Sequence, residues 1–241
     1  MRERPPFKTL FAVPLHCEGC INSVKNALSR VEGILNVNCY LEQQLIEVEG
    51  TAAPSKISAS LRETGKDCIL RGSGSPNSAA VCILEAHAPN LENTVRGLAR
   101  LVEVGPDFTI VDISLKGLKP GIYQASIQQN GDISRGAAST GGVWEEDTRG
   151  NEARGKLGQV QVSNEGSGSI ILDASIAIWE LIGRSMVISP SAELLHQDDE
   201  ATLVGVIARS AGVWENDKIV CSCSGKTVWE ERVEQTGKGM L

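Results

Sequence analysis

The stretch FAVPLHCEGCINSVKNAL, residues 11–28, decides the fold of the first part of this chain. It joins an apolar run to a turn that contains Cys17 and Cys20, and then to a segment whose apolar residues recur at helical spacing. The recurring residues are Ile21, Val24, Leu28 and Val31. The pattern predicts a strand over 8–15 and a helix over 21–33, with the two thiols in the turn between them.

The elements that follow extend this unit to about residue 74. Strand patterns in ILNVNCYL and LIEVEG precede a second helical pattern, APSKISASLRETG, with Pro54 near its start and Gly65 at its end. DCILRG supplies a last strand. The order β-α-β-β-α-β predicts an α+β, ferredoxin-like domain over residues 1–74.

A second domain follows a Gly, Ser and Pro cluster at GSGSPNSAA, residues 72–80. Beyond this linker, short apolar runs alternate with glycine-rich turns up to about residue 218, which predicts an antiparallel sandwich or barrel over 79–218. The alternation then stops, and residues 219–241 are predicted to be a short irregular tail. The chain is therefore expected to be multidomain, in line with its 241 residues.

Composition excludes some classes of function. The net charge is −7, and neither a basic tract nor basic residues interleaved with aromatic ones mark the chain as a nucleic-acid binder. The N-terminal stretch carries charges and two prolines instead of an export signal, and no apolar run is long enough to cross a membrane. We expect no stable membrane insertion and a cytoplasmic protein, in which the seven cysteines remain thiols.

The first cysteine pair is a candidate metal site. A helix start favours thiolates over thiols, and two soft thiolates suit Cu(I) better than Zn(II), which requires four ligands. Three other interpretations remain open: half of a structural zinc site, a thioredoxin-like redox pair, or a chance spacing. His16 is a weaker candidate ligand, and Lys66 either lies near the pair or is an ordinary solvated lysine.

A second pair, Cys221 and Cys223, stands in VCSCSG near the end of the chain. Small neighbours leave these thiols accessible, so the pair can capture Cu(I), pass it on, or exchange a disulfide. The alternative is two incidental thiols in a tail. Trp229, in KTVWEE beyond the pair, is expected either to dock the tail on a partner or to pack against the chain's own barrel.

The first domain, with LHCEGC between strand and helix, resembles the heavy-metal-associated domain, a small copper-carrying fold with the motif M-x-C-x-x-C. This chain has Leu15 in place of the motif's methionine. That methionine is a packing residue, so the departure is slight. The resemblance implies that Cys17 and Cys20 hold the metal.

The second domain resembles Cu,Zn superoxide dismutase, a Greek-key β-barrel, through GLKPGIYQASIQQNGDIS and LIGRSMVIS among other segments. Such a dismutase needs about six histidines and an aspartate as ligands, whereas this whole chain has three histidines. Gln124, Ser126 and Ser189 are predicted to stand where the family has copper-binding histidines, and His87 and His196 fall in unrelated stretches. We therefore expect neither copper nor zinc in the barrel, and no dismutation.

An inactive barrel can still imitate its relative's pairing surface. Dismutases pair through a two-fold interface, which a homologue can copy to form a mixed dimer. The candidate patch is TLVGVIARSAGVWEND, residues 202–217, with core packing as the competing explanation for Val204, Val206 and Ile207. Arg184 and Arg209 either bind an anion or form surface salt bridges.

The three parts together resemble the copper chaperones for superoxide dismutase, most closely the fungal members. The resemblance implies that Cys17 and Cys20 hold Cu(I), that the barrel docks metal-free dismutase as a heterodimer, and that Cys221 and Cys223 deliver the ion and promote the target's disulfide. It also leaves room for a homodimer and for a mitochondrial intermembrane-space pool. Two enzymatic alternatives remain: a true dismutase with a loading domain, and a thiol oxidoreductase. The sequence does not assign roles to Cys39, Cys68 and Cys82.

Overall fold

A computed structural model describes residues 3–88, 91, 94–144, 153–190, 200–216, 218, 220 and 224–237. Contacts divide the chain into two compact units. Unit 1 comprises residues 1–79, 102–106 and 210–232, and unit 2 comprises residues 80–101, 107–209 and 233–241. Unit 1 thus combines the N-terminal segment with residues 210–232 from late in the sequence, and the predicted boundaries near residues 74 and 218 stay a prediction.

Unit 1 contains the predicted β-α-β-β-α-β order. The elements are β1 (Phe7–Ala12), α1 (Glu18–Leu28), β2 (Ile34–Tyr40), β3 (Leu45–Gly50), α2 (Pro54–Glu63) and β4 (Ile69–Ser73). The four strands form one antiparallel sheet in the order β2-β3-β1-β4. The ferredoxin-like prediction is confirmed, although α1 begins three residues before the predicted start at 21 and ends before residue 33.

The core of unit 1 lies between the sheet and its two helices. Val24 and Leu28 of α1 and Leu61 of α2 are buried against Phe11 and Ile46 of the strands. Burying a side chain of this size contributes about 1.5–3 kcal/mol. This packing fixes where α1 begins, and therefore where the turn that carries the first cysteine pair lies.

Unit 2 is an eight-stranded antiparallel near-barrel, in the strand order β10-β8-β12-β13-β5-β6-β7-β11. The strands are β5 (Ala79–Ala86), β6 (Val95–Gly105), β7 (Phe108–Leu115), β8 (Gly121–Ile127), β10 (Lys156–Val162), β11 (Gly168–Ala174), β12 (Ser185–Ser189) and β13 (Leu203–Ser210). A short strand, β9 (Ser134–Ala137), and a one-turn helix, α3 (Ile178–Leu181), complete it. The predicted all-β barrel is confirmed.

The barrel core follows the alternation of its strands. Tyr123, Ala125 and Ile127 of β8 are buried and point inward, which leaves Gln124 and Ser126 on the other face. Met186 and Ile188 of β12 fill the same core. The interior is thus packed with apolar side chains.

The tail differs from its prediction, because α4 (Val228–Gly237) lies within the segment expected to be irregular. Its start is capped reciprocally. The Glu230 carboxylate accepts hydrogen bonds from the Thr227 amide at 2.7 Å and hydroxyl at 2.9 Å, and the Glu230 amide donates to the Thr227 hydroxyl at 3.2 Å. The four letters TVWE carry this signal, which is a capping box. In the part of the chain that the structure describes, no helix has the length and apolarity to cross a membrane.

Candidate metal centre

Cys17 and Cys20 lie at the N-terminal end of α1. Cys17 is the residue that caps the helix, with an extended backbone (φ −160°, ψ 172°), and its carbonyl accepts the Cys20 amide at 3.0 Å. This turn brings the two Sγ atoms to 3.9 Å. Because a metal–thiolate bond is about 2.3 Å long, one ion can contact both sulfur atoms at that separation. Cys17 is exposed and Cys20 is half-buried, so the pair is open to solvent on one side.

The surroundings of Cys20 stabilise its thiolate. A backbone hydrogen bond from His16 is the largest cause and the side chain of Lys66 is the second, and together they lower the pKa of Cys20 from 9.0 to about 7. Burial acts in the opposite direction but is outweighed. A large fraction of Cys20 is therefore the anion that binds metal at neutral pH. The structure thus brings Lys66 to the pair, and His16 contributes its backbone.

Leu15, two residues before Cys17, anchors the cysteine turn to the domain core. Its side chain is 2 % exposed and belongs to the core between the sheet and the helices. It therefore has the packing role that was expected at the motif's methionine position. A buried leucine here holds the start of the cysteine turn against the domain core.

Three other cysteines lie in apolar surroundings. Burial raises the pKa of Cys39 and of Cys68, and it raises the pKa of Cys82, inside the barrel core, to about 12. These side chains are thiols at neutral pH and are poor metal ligands. These three cysteines thus differ from Cys20 both in protonation state and in position.

The barrel residues predicted to replace copper ligands lie together. Gln124 of β8 pairs with Ser189 of β12, and Ser126 lies two residues along β8. The amide of Gln128, which the sequence analysis did not single out, donates to the Ser126 hydroxyl at 2.7 Å. Amide and hydroxyl groups thus lie at the positions where the sequence predicts that metal ligands are missing, and that correspondence stays a prediction. No cluster of three His, Cys, Asp or Glu side chains suited to a metal occurs among the described residues, a set that excludes His196.

Arg184 forms hydrogen bonds and an aromatic contact within the barrel. Its Nε and Nη1 donate to the carbonyls of Glu180 and Gln129, each at 2.9 Å. Its guanidinium lies 4.0 Å from the centre of the Trp144 ring, and that of Arg154 lies 4.6 Å from the same ring. Arg184 is therefore a structural residue that joins three segments, whereas Arg209 is exposed on β13.

The candidate pairing patch, residues 202–217, divides in two. Val204 and Ile207 are buried in the barrel, so core packing explains them, whereas Val206 is 36 % exposed. Trp214, at the other end of the patch, belongs to unit 1 instead. The use of this patch for pairing stays a prediction.

The described residues among 210–232, which we name the strap, lie against the face of the first sheet that is opposite the helices. Trp214 packs edge-to-face on Tyr40, with ring centres 5.3 Å apart, and its indole Nε1 donates to Glu47 at 2.9 Å. Backbone hydrogen bonds join Ser73 to Ala211 and Val213 to Gly74. The sequence analysis missed this layer, because its contacts join residues far apart in the chain.

Close approach of two backbones requires glycine where the strap begins. A Cβ atom at Gly72 would lie 2.1 Å from the carbonyl oxygen of Gly212, and one at Gly212 would lie 2.5 Å from that of Ser75. Any larger residue at either position would push the strap away from β4.

Further along the strap, Val228 and Trp229 line a cavity with Leu10, Ala12 and Leu45 of the sheet. Trp229 thus lies by the first domain.

The second cysteine pair, Cys221 and Cys223, lies outside the described residues. On either side of it in the sequence, Val220 and Thr227 form an antiparallel bridge. The role of the pair therefore remains a prediction from sequence.

Comparison with known proteins agrees with this architecture. Residues 9–67 match the family model of the heavy-metal-associated domain, and residues 95–212 match that of copper/zinc superoxide dismutase (SODC). The fold and the thiol site together define a two-domain metal-binding protein with a dismutase-like barrel.

Curated relatives match over nearly the whole chain. The chain is 46 % identical to the superoxide dismutase 1 copper chaperone of Saccharomyces cerevisiae, over 96 % of each protein. It is 45 % identical to the protein of that name from Kluyveromyces lactis, over 94 % of this chain and 93 % of the relative. It is 31 % identical to the human copper chaperone for superoxide dismutase, over 95 % and 90 %. The chain belongs to the family of copper chaperones for superoxide dismutase.

Proposed function

We propose that this protein binds Cu(I) at Cys17 and Cys20 and delivers it to metal-free Cu,Zn superoxide dismutase. The observation that carries the proposal is the open thiol pair, 3.9 Å apart, in which Cys20 has a pKa of about 7. Two thiolates with one face open to solvent suit an ion that accepts low coordination and must leave again. The copper ion is cargo in this scheme.

The barrel acts as the docking part in this proposal. Its fold matches the dismutase family, and its exposed Val206 lies on the patch predicted to form a mixed dimer. Gln124, Ser126 and Ser189 replace ligands in it, so no copper or zinc is expected there. A homodimer through the same patch would compete with the heterodimer.

Delivery is assigned to Cys221 and Cys223. Cu(I) keeps its charge while its bonds to one thiolate pair break and bonds to the next pair form. The same two residues would promote the target's disulfide. In that step the tail pair enters as a disulfide, is reduced to two thiols, and leaves two target thiols oxidised. Both activities fit a protein of the cytoplasm, with a second pool in the mitochondrial intermembrane space.

The test is a transfer assay. Cu(I)-loaded protein is mixed with metal-free dismutase in the presence of a Cu(I) chelator, and dismutase activity is followed. We expect wild type to activate the target, Cys17→Ser/Cys20→Ser to bind copper at least about a hundredfold more weakly, and Cys221→Ser/Cys223→Ser to bind it normally without delivering it. Cys39→Ser is the control, because it removes one thiol that belongs to neither cysteine pair. Equal activation by the tail variant would remove the tail from the mechanism.

Thiol oxidoreduction is the competing function. If copper-free protein with an oxidised tail pair forms the target's disulfide at the full rate, disulfide exchange is the main task. If the rate depends on copper, exchange is secondary to delivery. The assay needs only the same variants and a gel that separates the reduced target from the oxidised one.

A further inference from the structure

The loop between α2 and β4, residues 64–68, carries two neighbouring side chains that contact different parts of unit 1. Lys66 forms a hydrogen bond with the Cys20 thiol of the metal centre. Asp67, the next residue, accepts two hydrogen bonds from Arg232 of α4, from Nε at 3.1 Å and from Nη2 at 3.3 Å. The Cys68 amide also donates to Asp67, at 2.8 Å. One short loop thus connects the metal centre with α4.

The contact between Asp67 and Arg232 has the geometry of a specific ion pair. Each guanidinium nitrogen meets a different carboxylate oxygen, Nε with Oδ2 and Nη2 with Oδ1, and this two-bond arrangement fixes the orientation of both groups. The Arg232 side chain is 13 % exposed, whereas that of Arg62, 3.9 Å from the same carboxylate, is 41 % exposed. Arg232 is therefore the partner that limits the movement of Asp67.

One face of α4 is turned towards the first domain. Val228 and Trp229 line the cavity beside the sheet, and Arg232 follows them by four and three residues. Side chains at these spacings lie on the same face of a helix. The strap is also held before α4, because Arg71 of β4, which is 7 % exposed, donates to the Asn216 carbonyl at 2.8 Å. Contacts with the sheet thus place α4 where Arg232 reaches the loop.

The position of Lys66 matters because bound copper leaves negative charge at the site. Two thiolates and one Cu(I) ion together carry one net negative charge, and a nearby ammonium group stabilises it. A lysine side chain is long and flexible, so it stabilises the site only while its backbone stays within reach. Holding the loop in place therefore favours the copper-bound state of Cys17 and Cys20.

We propose that Arg232 is a positioning residue of the metal centre. Through Asp67 it holds the loop in place, so that Lys66 stays beside Cys20 and the first cysteine pair binds Cu(I) more tightly. This rests on the part of the proposed function in which Cys17 and Cys20 bind the ion, and it does not depend on how the ion is delivered. The helix α4 thus contributes to copper binding without supplying a ligand.

The experiment uses full-length protein with Cys221→Ser and Cys223→Ser as the parent, so that copper bound by the second pair does not contribute. Chelator competition measures the Cu(I) affinity, and hydrogen exchange of residues 64–68 in copper-free protein measures the order of the loop. Because a partly exposed ion pair contributes little, Arg232→Glu should speed this exchange and weaken Cu(I) binding by about two- to fivefold each.

Arg30→Glu is the matched control, because it makes the same change at an exposed arginine beyond the far end of α1. The 11 residues of α1 span about 16 Å, which exceeds the distance of about 8 Å over which physiological salt screens exposed charges. This variant should therefore change neither the loop exchange nor the Cu(I) affinity.

Two further variants test the route of the effect. Arg232→Glu/Asp67→Arg exchanges the two charges, so its loss of Cu(I) affinity should be smaller than the sum of the two single losses. In a Lys66→Met background, Arg232→Glu should cause no further loss, because the side chain through which it acts is missing. A residue that only stabilised the fold would lower the unfolding midpoint and weaken binding equally with and without Lys66.

Four results would overturn the inference. Unchanged exchange in Arg232→Glu would mean that the ion pair does not hold the loop. Equal Cu(I) affinity in Arg232→Glu and Arg30→Glu would mean that Arg232 does not act on the metal centre. An equal loss with and without Lys66 would exclude the lysine from the route, and additive losses in the exchanged pair would mean that the two charges act separately. In each case the parent still binds Cu(I), whereas a parent that fails to bind it contradicts the proposed function itself.

Discussion

The Trp214 indole Nε1 donates a 2.9 Å hydrogen bond to Glu47 Oε2, which joins two residues 167 positions apart in the chain. Trp214 has a left-handed backbone, with φ at 66°, which costs on the order of 1–3 kcal/mol for a bulky residue. Glu47 is 4 % exposed and also contacts Lys8 at 3.2 Å and Asn38 at 3.3 Å. The surroundings therefore hold Trp214 in a conformation that it would otherwise avoid.

Replacing Glu47 should weaken the contact between the strap and the sheet, and it should remove one cause of the pH dependence of folding stability. Burial acts to raise the pKa of Glu47, but hydrogen bonds from Trp214, Lys8 and Asn38 outweigh it, so the pKa is lowered. A lowered carboxyl pKa stabilises the folded state above the unfolded value of about 4.3, and that stability is lost as pH falls through the folded pKa. We expect Glu47→Gln to reduce the unfolding free energy at pH 7 by about 1–3 kcal/mol.

Denaturant titrations at pH 7 and between pH 5 and 3, followed by tryptophan fluorescence, check this expectation. The difference in unfolding free energy between wild type and Glu47→Gln should become smaller as the pH is lowered. Glu49→Gln, two residues along β3, is the control for removing a charge from this strand. If Glu47→Gln and Glu49→Gln behaved alike, the contact with Trp214 would have no special part in stability.

Removing Lys66 should make Cys20 less reactive at neutral pH. The Lys66 side chain is the second cause of the low pKa of Cys20, so Lys66→Met should raise that pKa above about 7. Fewer thiolates at pH 7 should slow alkylation of Cys20 by about two- to tenfold, with the rates converging at high pH. The rate is measured against pH in Cys17→Ser protein, and Lys56→Met, on the exposed side of α2, is the control. If the dependence of the alkylation rate on pH did not change, the His16 amide and not Lys66 would be the cause of the low pKa of Cys20.

Leu15 should accept methionine but not alanine. Exchanging one large apolar side chain for another of similar volume costs less than about 1.5 kcal/mol, whereas a cavity at a buried leucine costs about 2–5 kcal/mol. Leu15→Met should therefore keep both its unfolding midpoint and its Cu(I) affinity. Leu15→Ala should lower the midpoint clearly. A gain in Cu(I) affinity with methionine would show instead that its sulfur binds the metal.

The barrel should catalyse no superoxide consumption of its own. Gln124, Ser126 and Ser189 offer amide and hydroxyl groups, which are poor ligands for copper ions. The quadruple Ser variant at Cys17, Cys20, Cys221 and Cys223 isolates the barrel's contribution. After incubation with copper and zinc and removal of free ions, it should consume superoxide no faster than buffer. Activity in that variant would support the dismutase alternative.

Much of the first domain could be predicted because its signals are local. The apolar spacing of Val24 and Leu28 predicts the helix and its buried face, and Pro54 marks where the second helix begins. The cysteine turn between strand and helix predicts the metal centre. The sequence left two possibilities for Lys66, a place near the pair or an ordinary solvated lysine, and its effect on the pKa of Cys20 supports the first.

The strap could not be predicted because its determinants are not local. Glu47 and Arg71 fit the polar positions of half-buried strands, and nothing next to them in the sequence indicates that Trp214 and Asn216 cover them. Only the TVWE capping box gave a local sign that the tail contains a helix. Gly72 and Gly212 are also uninformative alone, since each is needed only because the backbone of a distant segment lies against it, that of Gly212 and that of Ser75 respectively.

Unit 1 combines residues from the start of the sequence with residues 210–232, and this division has a consequence for synthesis of the protein. A ribosome makes the barrel strands before it makes residues 210–232, so the sheet's second face is bare while most of the nascent chain emerges. Leu10 and Ala12, buried in the finished protein, face water during that interval. Completion of the cargo-binding domain thus waits for the last tenth or so of translation.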